Sequence, residues 1–260
     1  MKLSPLFAEE RRHEIAKLLS DNAKLLTPSL CKTFDVSPAT IRNDLRTLER
    51  EGILKRTHGG AIPAGKTAYE LIGKSKEVEC IEEKRKIAMF AETLVEDGDT
   101  IVLDTGTTTM ELAKLLTDKE NLTVVTSDIK IALYLEENSS ANIYLLGGMI
   151  RRNFHCAMGA ETINQLKGLS TDKAFIAVNA LSVEKGFTTP SIELANVKAA
   201  MVATGATAVF LADSQKLNRA SFAQIVSLDK AHIIVTDSKA DRNFINRLKS
   251  ENKHLEVVAV

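Results

Sequence analysis

Two rhythms of apolar residues divide this chain. From Phe7 to Asn22, Ile15, Leu18 and Leu19 recur at helical spacing among charged residues, which predicts an amphipathic first helix. Leu25 and Leu26 then lead to Thr27-Pro28, an N-cap and first-position pair, and Leu30, Cys31 and Phe34 give a short second helix its apolar side. Asp35-Val36 turns the chain. Ser37-Pro38 repeats the start signal and predicts a third helix over Pro38 to Arg50, ended by Gly52. The segment from Ile53 to Ile62 then reads as two short strands about a turn, with Lys55, Arg56 and His58 between apolar anchors.

Beyond Ile81 the rhythm changes to helices alternating with short β-rich runs. These are Thr100 to Leu103, Leu122 to Thr126, Ile143 to Leu146, Ala174 to Val178, Ala208 to Leu211, His232 to Thr236 and Leu255 to Val260. The alternation predicts an α/β domain with a largely parallel sheet, in which ligands bind at the carboxyl ends of strands. The apolar stretch Ala199 to Ala212 is too short to cross a bilayer and predicts a buried helix leading into a strand. We therefore expect a small helical head with a wing over residues 1–62, a connection over 63–80, where Pro63, Gly65 and Gly73 mix with charges, and a larger α/β domain over 81–260.

Composition sharpens this division. The 260 residues hold 34 Lys plus Arg against 34 Asp plus Glu, so the whole chain is not a polycation. Residues 1–62 nevertheless carry 11 basic and 8 acidic side chains, leaving the body net acidic, which assigns any meeting with a large polyanion to the head. Cys31, Cys80 and Cys156 stand far apart, as in a chain kept in a reducing cytoplasm. The five histidines are equally scattered, and we expect no structural metal and no cofactor: GxGxxG, P-loop and GxSxG motifs are all absent. The apolar start from Met1 to Phe7 is too short for a signal-peptide core.

Stepping 100° per residue from Ile41 places Leu45 and Leu48 on the packed side of the third helix, with Asp44 near them. Ala39, Asn43, Arg46 and Arg50 occupy the opposite side, flanked by Thr40, Arg42 and Thr47. Asn can bond adenine in two places, Arg can bond guanine or phosphate, and Ser37 and Thr40 at the helix start offer donors to a phosphate. Such a face reads DNA, or its arginines merely solvate a helical bundle. A capped short helix, a turn, a capped basic helix and a basic wing in one unit favour the first alternative.

In the body, the run Ile101 to Leu103 ends in Asp104-Thr105-Gly106-Thr107-Thr108-Thr109, which opens a helix. Backbone N–H groups and threonine hydroxyls there suit a phosphate; a plain threonine cap with a glycine turn fits the same residues. Gly147 and Gly148 end another strand and are expected to border the same cleft.

Three segments of the head resemble the winged helix-turn-helix of DeoR-family regulators: Arg12-His13-Glu14-Ile15, Val36 to Leu48, and Arg56-Thr57-His58-Gly59-Gly60-Ala61. The resemblance implies operator contacts from Ser37, Thr40, Arg42, Asn43, Arg46, Arg56 and His58. It continues in the turn at Thr107 to Thr109, Leu146-Gly147-Gly148, Glu193 with Lys198, and Ala212-Asp213-Ser214-Gln215-Lys216, where Gln215 departs from the commoner Asp-Ser-Ser-Lys. That effector domain is similar in fold to ribose-5-phosphate isomerase. It implies that Thr105 to Thr109 hold a phosphate and that Lys198 and Lys216, unless they are surface residues, approach the ligand. The expected function is a DNA-binding regulator, usually a repressor relieved by a sugar phosphate, acting as a homo-oligomer on operator DNA. The rival is a sugar-phosphate isomerase or transferase. Where the isomerase pattern has Asp-Gly-Ala-Asp this chain has Ala177-Val178-Asn179-Ala180, so no catalytic residue is assigned. Asn179 is left to bond the sugar or to be a satisfied buried amide. The tripeptide Asp104-Thr105-Gly106 occurs in aspartic proteases, but a strand-to-helix turn is the wrong setting for that chemistry.

Overall fold

The computed structural model describes residues 6–21, 24–57, 59–63 and 80–260. The chain divides into two units, Met1–Tyr69 and Glu70–Val260. The expected connection over 63–80 lies almost wholly outside the described residues, as does His58.

The first unit contains α1 (Ala8–Asp21), β1 (Leu25–Leu26), α2 (Thr27–Phe34), α3 (Pro38–Arg50), β2 (Leu54–Thr57) and β3 (Gly60–Pro63). Its core joins Ile15 and Leu19 of α1, Leu30 and Phe34 of α2, and Ile41, Leu45 and Leu48 of α3. The α3 boundaries follow the sequence signals, with the Ser37 hydroxyl accepting the Thr40 N–H at 3.1 Å. At α2 the expectation needs correction. Thr27 is the first helical residue rather than the cap, Leu26 before it is extended, and no side chain caps the helix. The reason is β1, which the sequence reading did not anticipate: Leu25-Leu26 pairs antiparallel with β3, and the Thr27 N–H goes to the Gly59 carbonyl at 2.8 Å. A Cβ on Gly60 would lie 2.0 Å from the Leu25 carbonyl oxygen, so this approach requires glycine.

The second unit runs α4 (Ile81–Glu92), β4 (Thr100–Leu103), α5 (Thr107–Leu115), β5 (Thr123–Thr126), α6 (Ile129–Asn138), β6 (Asn142–Leu145), β7 (Met149–Arg151), β8 (Cys156–Met158), α7 (Ala160–Leu166) and β9 (Thr171–Ala177). It continues with β10 (Ala180–Ser182), β11 (Gly186–Thr189), α8 (Ile192–Thr204), β12 (Gly205–Leu211), β13 (Ala223–Val226), β14 (Ile233–Thr236), α9 (Arg242–Glu251) and β15 (Glu256–Ala259). Seven strands form a parallel sheet in the order β15-β14-β12-β9-β4-β5-β6. All seven runs expected from the sequence are in it. Alternate residues serve opposite layers: Ile101, Leu103 and Phe175 pack with α4, α5 and α6, while Val102, Ala174 and Ile176 pack with α7, α8 and α9. Such two-sided burial explains their unbroken apolar character.

Two smaller pieces were not expected. The hairpin β7–β8 and the antiparallel sheet β10-β11-β13 are built from strands of three or four residues of mixed polarity, too short to show a period. From β4 the chain moves one way to β5 and β6, and from β9 the other way to β12, β14 and β15. The strand order therefore reverses between β4 and β9, and their carboxyl ends flank a crevice.

Candidate DNA-reading face and ligand cavity

The outer face of α3 presents Ser37, Arg42, Asn43, Arg46 and Arg50 to solvent, with Thr40 half-buried. Arg46 donates to Asn43 Oδ1 at 3.1 Å and Arg50 to Thr47 Oγ1 at 3.3 Å, so these groups form one polar surface. Lys55 and Arg56 lie exposed on β2. Arg56 is already engaged: its Nε meets Glu49 Oε2 at 2.6 Å and its backbone N–H meets Glu49 Oε1 at 2.9 Å. Those two bonds hold the Glu49 carboxyl below its usual range and tie the wing to α3.

The opposite side of α3 is fixed by a buried ion pair. Arg11 Nε donates to Asp44 Oδ2 at 2.6 Å, Arg12 Nη1 lies 3.8 Å from Asp44 Oδ1, and Arg11 and Asp44 are 7% and 3% exposed. Helical angle placed Asp44 near the core, but its partners, some 30 residues away, left no local signal.

In the second unit, a cavity of about 500 Å³ opens at the crevice between the ends of β4 and β9. Thr105, Gly106, Thr107 and Thr108 line it at the start of α5, whose first i→i−4 bond is Met110 N–H to the Gly106 carbonyl. The preceding amides of that first turn therefore precede the helical ladder and point out of the helix start. A Cβ on Gly106 would sit 2.9 Å from the Ala177 Cβ, so glycine lets the turn approach β9.

Behind the turn, Asp104 is fully buried. Its Oδ2 accepts from Lys198 Nζ and from the Ala177 N–H at 3.0 Å, while its Oδ1 is buried without a partner. Lys198, 2% exposed on α8, also donates to the Ala177 carbonyl at 2.9 Å and lines the cavity. Lys198 is thus no surface residue. Burial pushes the Asp104 carboxyl up, against the nearby Lys198 charge. The Thr105 hydroxyl donates to Asp128 Oδ2 at 2.7 Å, while Asp128 Oδ1 caps α6 by accepting the Lys130 and Ile131 N–H groups. Burial raises the Asp128 carboxyl as well, and it raises the adjacent Cys156 thiol.

Asn179 and Lys216 also line the cavity. The Asn179 amide oxygen accepts from the Thr189 hydroxyl at 2.9 Å, and Lys216 lies 3.8 Å from Asp213 Oδ2. The buried Thr109 hydroxyl bonds to the Gly106 carbonyl at 3.0 Å, a structural role inside the turn. Gly147 and Gly148 do not border this cavity. β6 is the outermost strand, and the Gly147 carbonyl is occupied by Thr162 and Gln165 of α7. Glu193 is exposed and bonded to Ser191 outside the lining.

The sequence reading missed the far wall, formed by Lys84 and Arg85 on α4, Asp128 and Lys130 at the start of α6, Arg151 at the end of β7, and Asn153, Phe154 and His155 in the β7–β8 loop. Asp128 was findable, because Thr126-Ser127-Asp128 is a second strand-to-helix turn beside the first. The loop was not, since no pattern predicts its hairpin. Within it, the Arg151 guanidinium stacks 3.7 Å from the Phe154 ring centre. Among the described residues no cluster of His, Cys, Asp and Glu is suited to a metal ion, and no helix is long and apolar enough to cross a membrane.

Comparison with known proteins gives two family matches: a DeoR-like helix-turn-helix domain over residues 11–67 and a DeoR C-terminal sensor domain over residues 79–238. The chain is 36% identical to the HTH-type transcriptional regulator GlpR of Haloferax volcanii, over 93% of this chain and 94% of that protein. It is 34% identical to the HTH-type transcriptional repressor GlcR of Bacillus subtilis, over 97% of each. Among solved structures, a D-ribose-5-phosphate isomerase in complex with phospho-erythronic acid matches with a TM-score of 0.40 and 20% identity, over 53% of this chain and 54% of that one.

Proposed function

We propose, proceeding from the fact that the chain belongs to the DeoR family of helix-turn-helix transcriptional regulators, that it represses genes of carbohydrate metabolism and is released from its operator by a phosphorylated sugar. The observation that carries the effector half of this reading is the cavity at the strand-order reversal, onto which the first turn of α5 opens. In this reading the amides and hydroxyls of Thr107 and Thr108 hold the phosphate, aided by the helix dipole. Lys198, held by Asp104, and Lys216 add positive charge, while Asn179 bonds a sugar hydroxyl. On the head, Asn43 and Arg46 read base edges, with Ser37, Thr40, Arg42, Arg50, Lys55, Arg56 and His58 on the backbone and flanking positions.

The reading is of a cytoplasmic binding protein without turnover. Ala177-Val178-Asn179 at the end of β9 places no carboxylate where an isomerase needs its base, and Asp104 is committed to Lys198. Function is divided among a head over residues 1–62, a connection over 63–80 and a sensor over 81–260, acting as a homo-oligomer on operator DNA. An effector loosens DNA only by preferring one arrangement, and a coupling of about 1–3 kcal/mol changes operator affinity roughly 5- to 150-fold.

The test is a titration of the full chain against its own upstream DNA at two salt concentrations, with and without a panel of sugar phosphates. Salt-sensitive binding released by one compound is the expected result; conversion of a sugar phosphate without DNA binding would overturn it. Arg46→Ala is expected to weaken operator binding and spare effector affinity measured by calorimetry. Thr107→Val is expected to do the reverse, making repression harder to relieve, and unchanged effector affinity would remove the phosphate from this turn.

A further inference from the structure

The sugar-phosphate reading employs the turn at Thr107 and Thr108, with Lys198, Lys216 and Asn179, and leaves the far wall of the cavity without a task. Charge is concentrated there. The body of the chain is net acidic, yet seven lysines and arginines line this cavity against three carboxylates, Glu111, Asp128 and Asp213. Asp104, buried behind the turn, makes a fourth. Seven basic groups against four carboxylates leave a net of three positive charges around one opening. A phosphate monoester brings about two negative charges at neutral pH. One such group does not balance the site.

The basic groups are also spread over both sides of the turn. Lys198 is bonded to Asp104 directly before it, and Lys84, 4% exposed, comes from α4, which packs on α5. Lys130 and Arg151 stand on other elements, the first turn of α6 and the end of β7. The lining carboxylate nearest to Lys130 in the chain, Asp128, is engaged, Oδ2 by the Thr105 hydroxyl and Oδ1 by the Lys130 and Ile131 N–H groups. The Arg151 guanidinium lies over the Phe154 ring, 3.7 Å from its centre. Stacking uses the face of a guanidinium, whereas the N–H groups in its plane are those that fork onto two oxygens of a carboxylate or phosphate.

We propose that the effector carries two anionic groups: its phosphate on the α5 turn and, at the other end of the sugar chain, a carboxylate or a second phosphate held by Lys130 and Arg151. The spacing suits such a molecule. α5 and α6 follow adjacent parallel strands and pack side by side, so their starts lie roughly 8–10 Å apart. That is the span of a sugar chain rather than of one phosphate, and a cavity of about 500 Å³ encloses a whole small molecule. The inference rests on the sugar-phosphate reading and narrows it to phosphorylated sugar acids and sugar bisphosphates.

The experiment is calorimetric titration of the full chain with three open-chain compounds of one carbon skeleton, repeated for several chain lengths. The alditol phosphate ends in a primary alcohol, the matching phosphorylated aldonic acid in a carboxylate, and the alditol bisphosphate in a second phosphate. We expect the acid or the bisphosphate to bind at least roughly tenfold more tightly than the alditol phosphate, and the tighter of the two identifies the second anion. In Arg151→Gln that ratio should fall towards one. A merely structural role for Arg151 would weaken all three compounds together and keep the ratio. Lys130→Gln, on another element, gives the same readout should the Arg151 variant fail to fold. Equal affinities at every length, no binding of any of the three, or a preference that survives both substitutions would overturn the proposal. The sugar-phosphate reading fails separately, if no sugar phosphate releases the chain from its operator.

Discussion

Asp128 does two things with one carboxylate, taking the Thr105 hydroxyl and capping α6, while its backbone bridges to Cys156 in the β7–β8 hairpin. Its burial fixes the sign of a pH effect. A carboxyl whose folded pKa is raised binds its proton more tightly in the folded than in the unfolded chain. Its contribution to stability is present below the unfolded value of about 3.9 and is lost as pH rises through the folded value. Asp128→Asn, which keeps a capping oxygen, is therefore expected to reduce the fall in stability from acid towards neutral pH, as measured by thermal unfolding across that range. Asp104 acts in the same direction and remains, so the slope should shrink rather than vanish. Single residues were legible in the sequence where their task is local: Ser37 caps α3, and Thr107 and Thr108 open α5 at the cavity. Where the task depends on a distant partner, as for Asp104 with Lys198 or Arg56 with Glu49, the residue was visible but its bond was not.

Elements obey the same division. The helices and the seven parallel strands were readable because each satisfies most of its needs with a continuous apolar pattern. β1 was not, because two leucines before a helix carry no period, and their strand exists through the approach of Gly60. The packing of α3 on α1 offers a test at this scale. Asp44→Ala would leave Arg11 buried without its carboxylate, and such a loss costs about 3–5 kcal/mol. Calorimetry should show the unfolding of the first unit shifted down while that of the second, whose core shares none of these residues, stays in place. A shift of both transitions would mean that the two unfold as one.

For the whole molecule, charge is arranged rather than abundant. The chain is neutral overall, so salt dependence of DNA binding should come from the basic head alone. Each phosphate contact adds about 0.9 to the slope of log affinity against log salt. Replacing the exposed Lys55 by Ala should lower that slope by about one while leaving the preference among operator sequences intact; an unchanged slope would place Lys55 away from the backbone. The change of apolar rhythm near Ile81 suggested a head and a body, and the chain divides into two units at Tyr69/Glu70. The far wall of the cavity was not legible, since it is assembled from α4, α6 and a hairpin, separated by up to 70 residues.

The place of β4 also sets an order in time. Its neighbour β9 is made some 70 residues later, whereas the core of the head closes between Ile15 and Ala61. At about 5–20 residues per second, a growing chain carries a finished head for several seconds before β9, and later still Lys198 and Lys216, leave the ribosome to complete the cavity. A newborn regulator is thus equipped to find DNA before it is equipped to answer a metabolite.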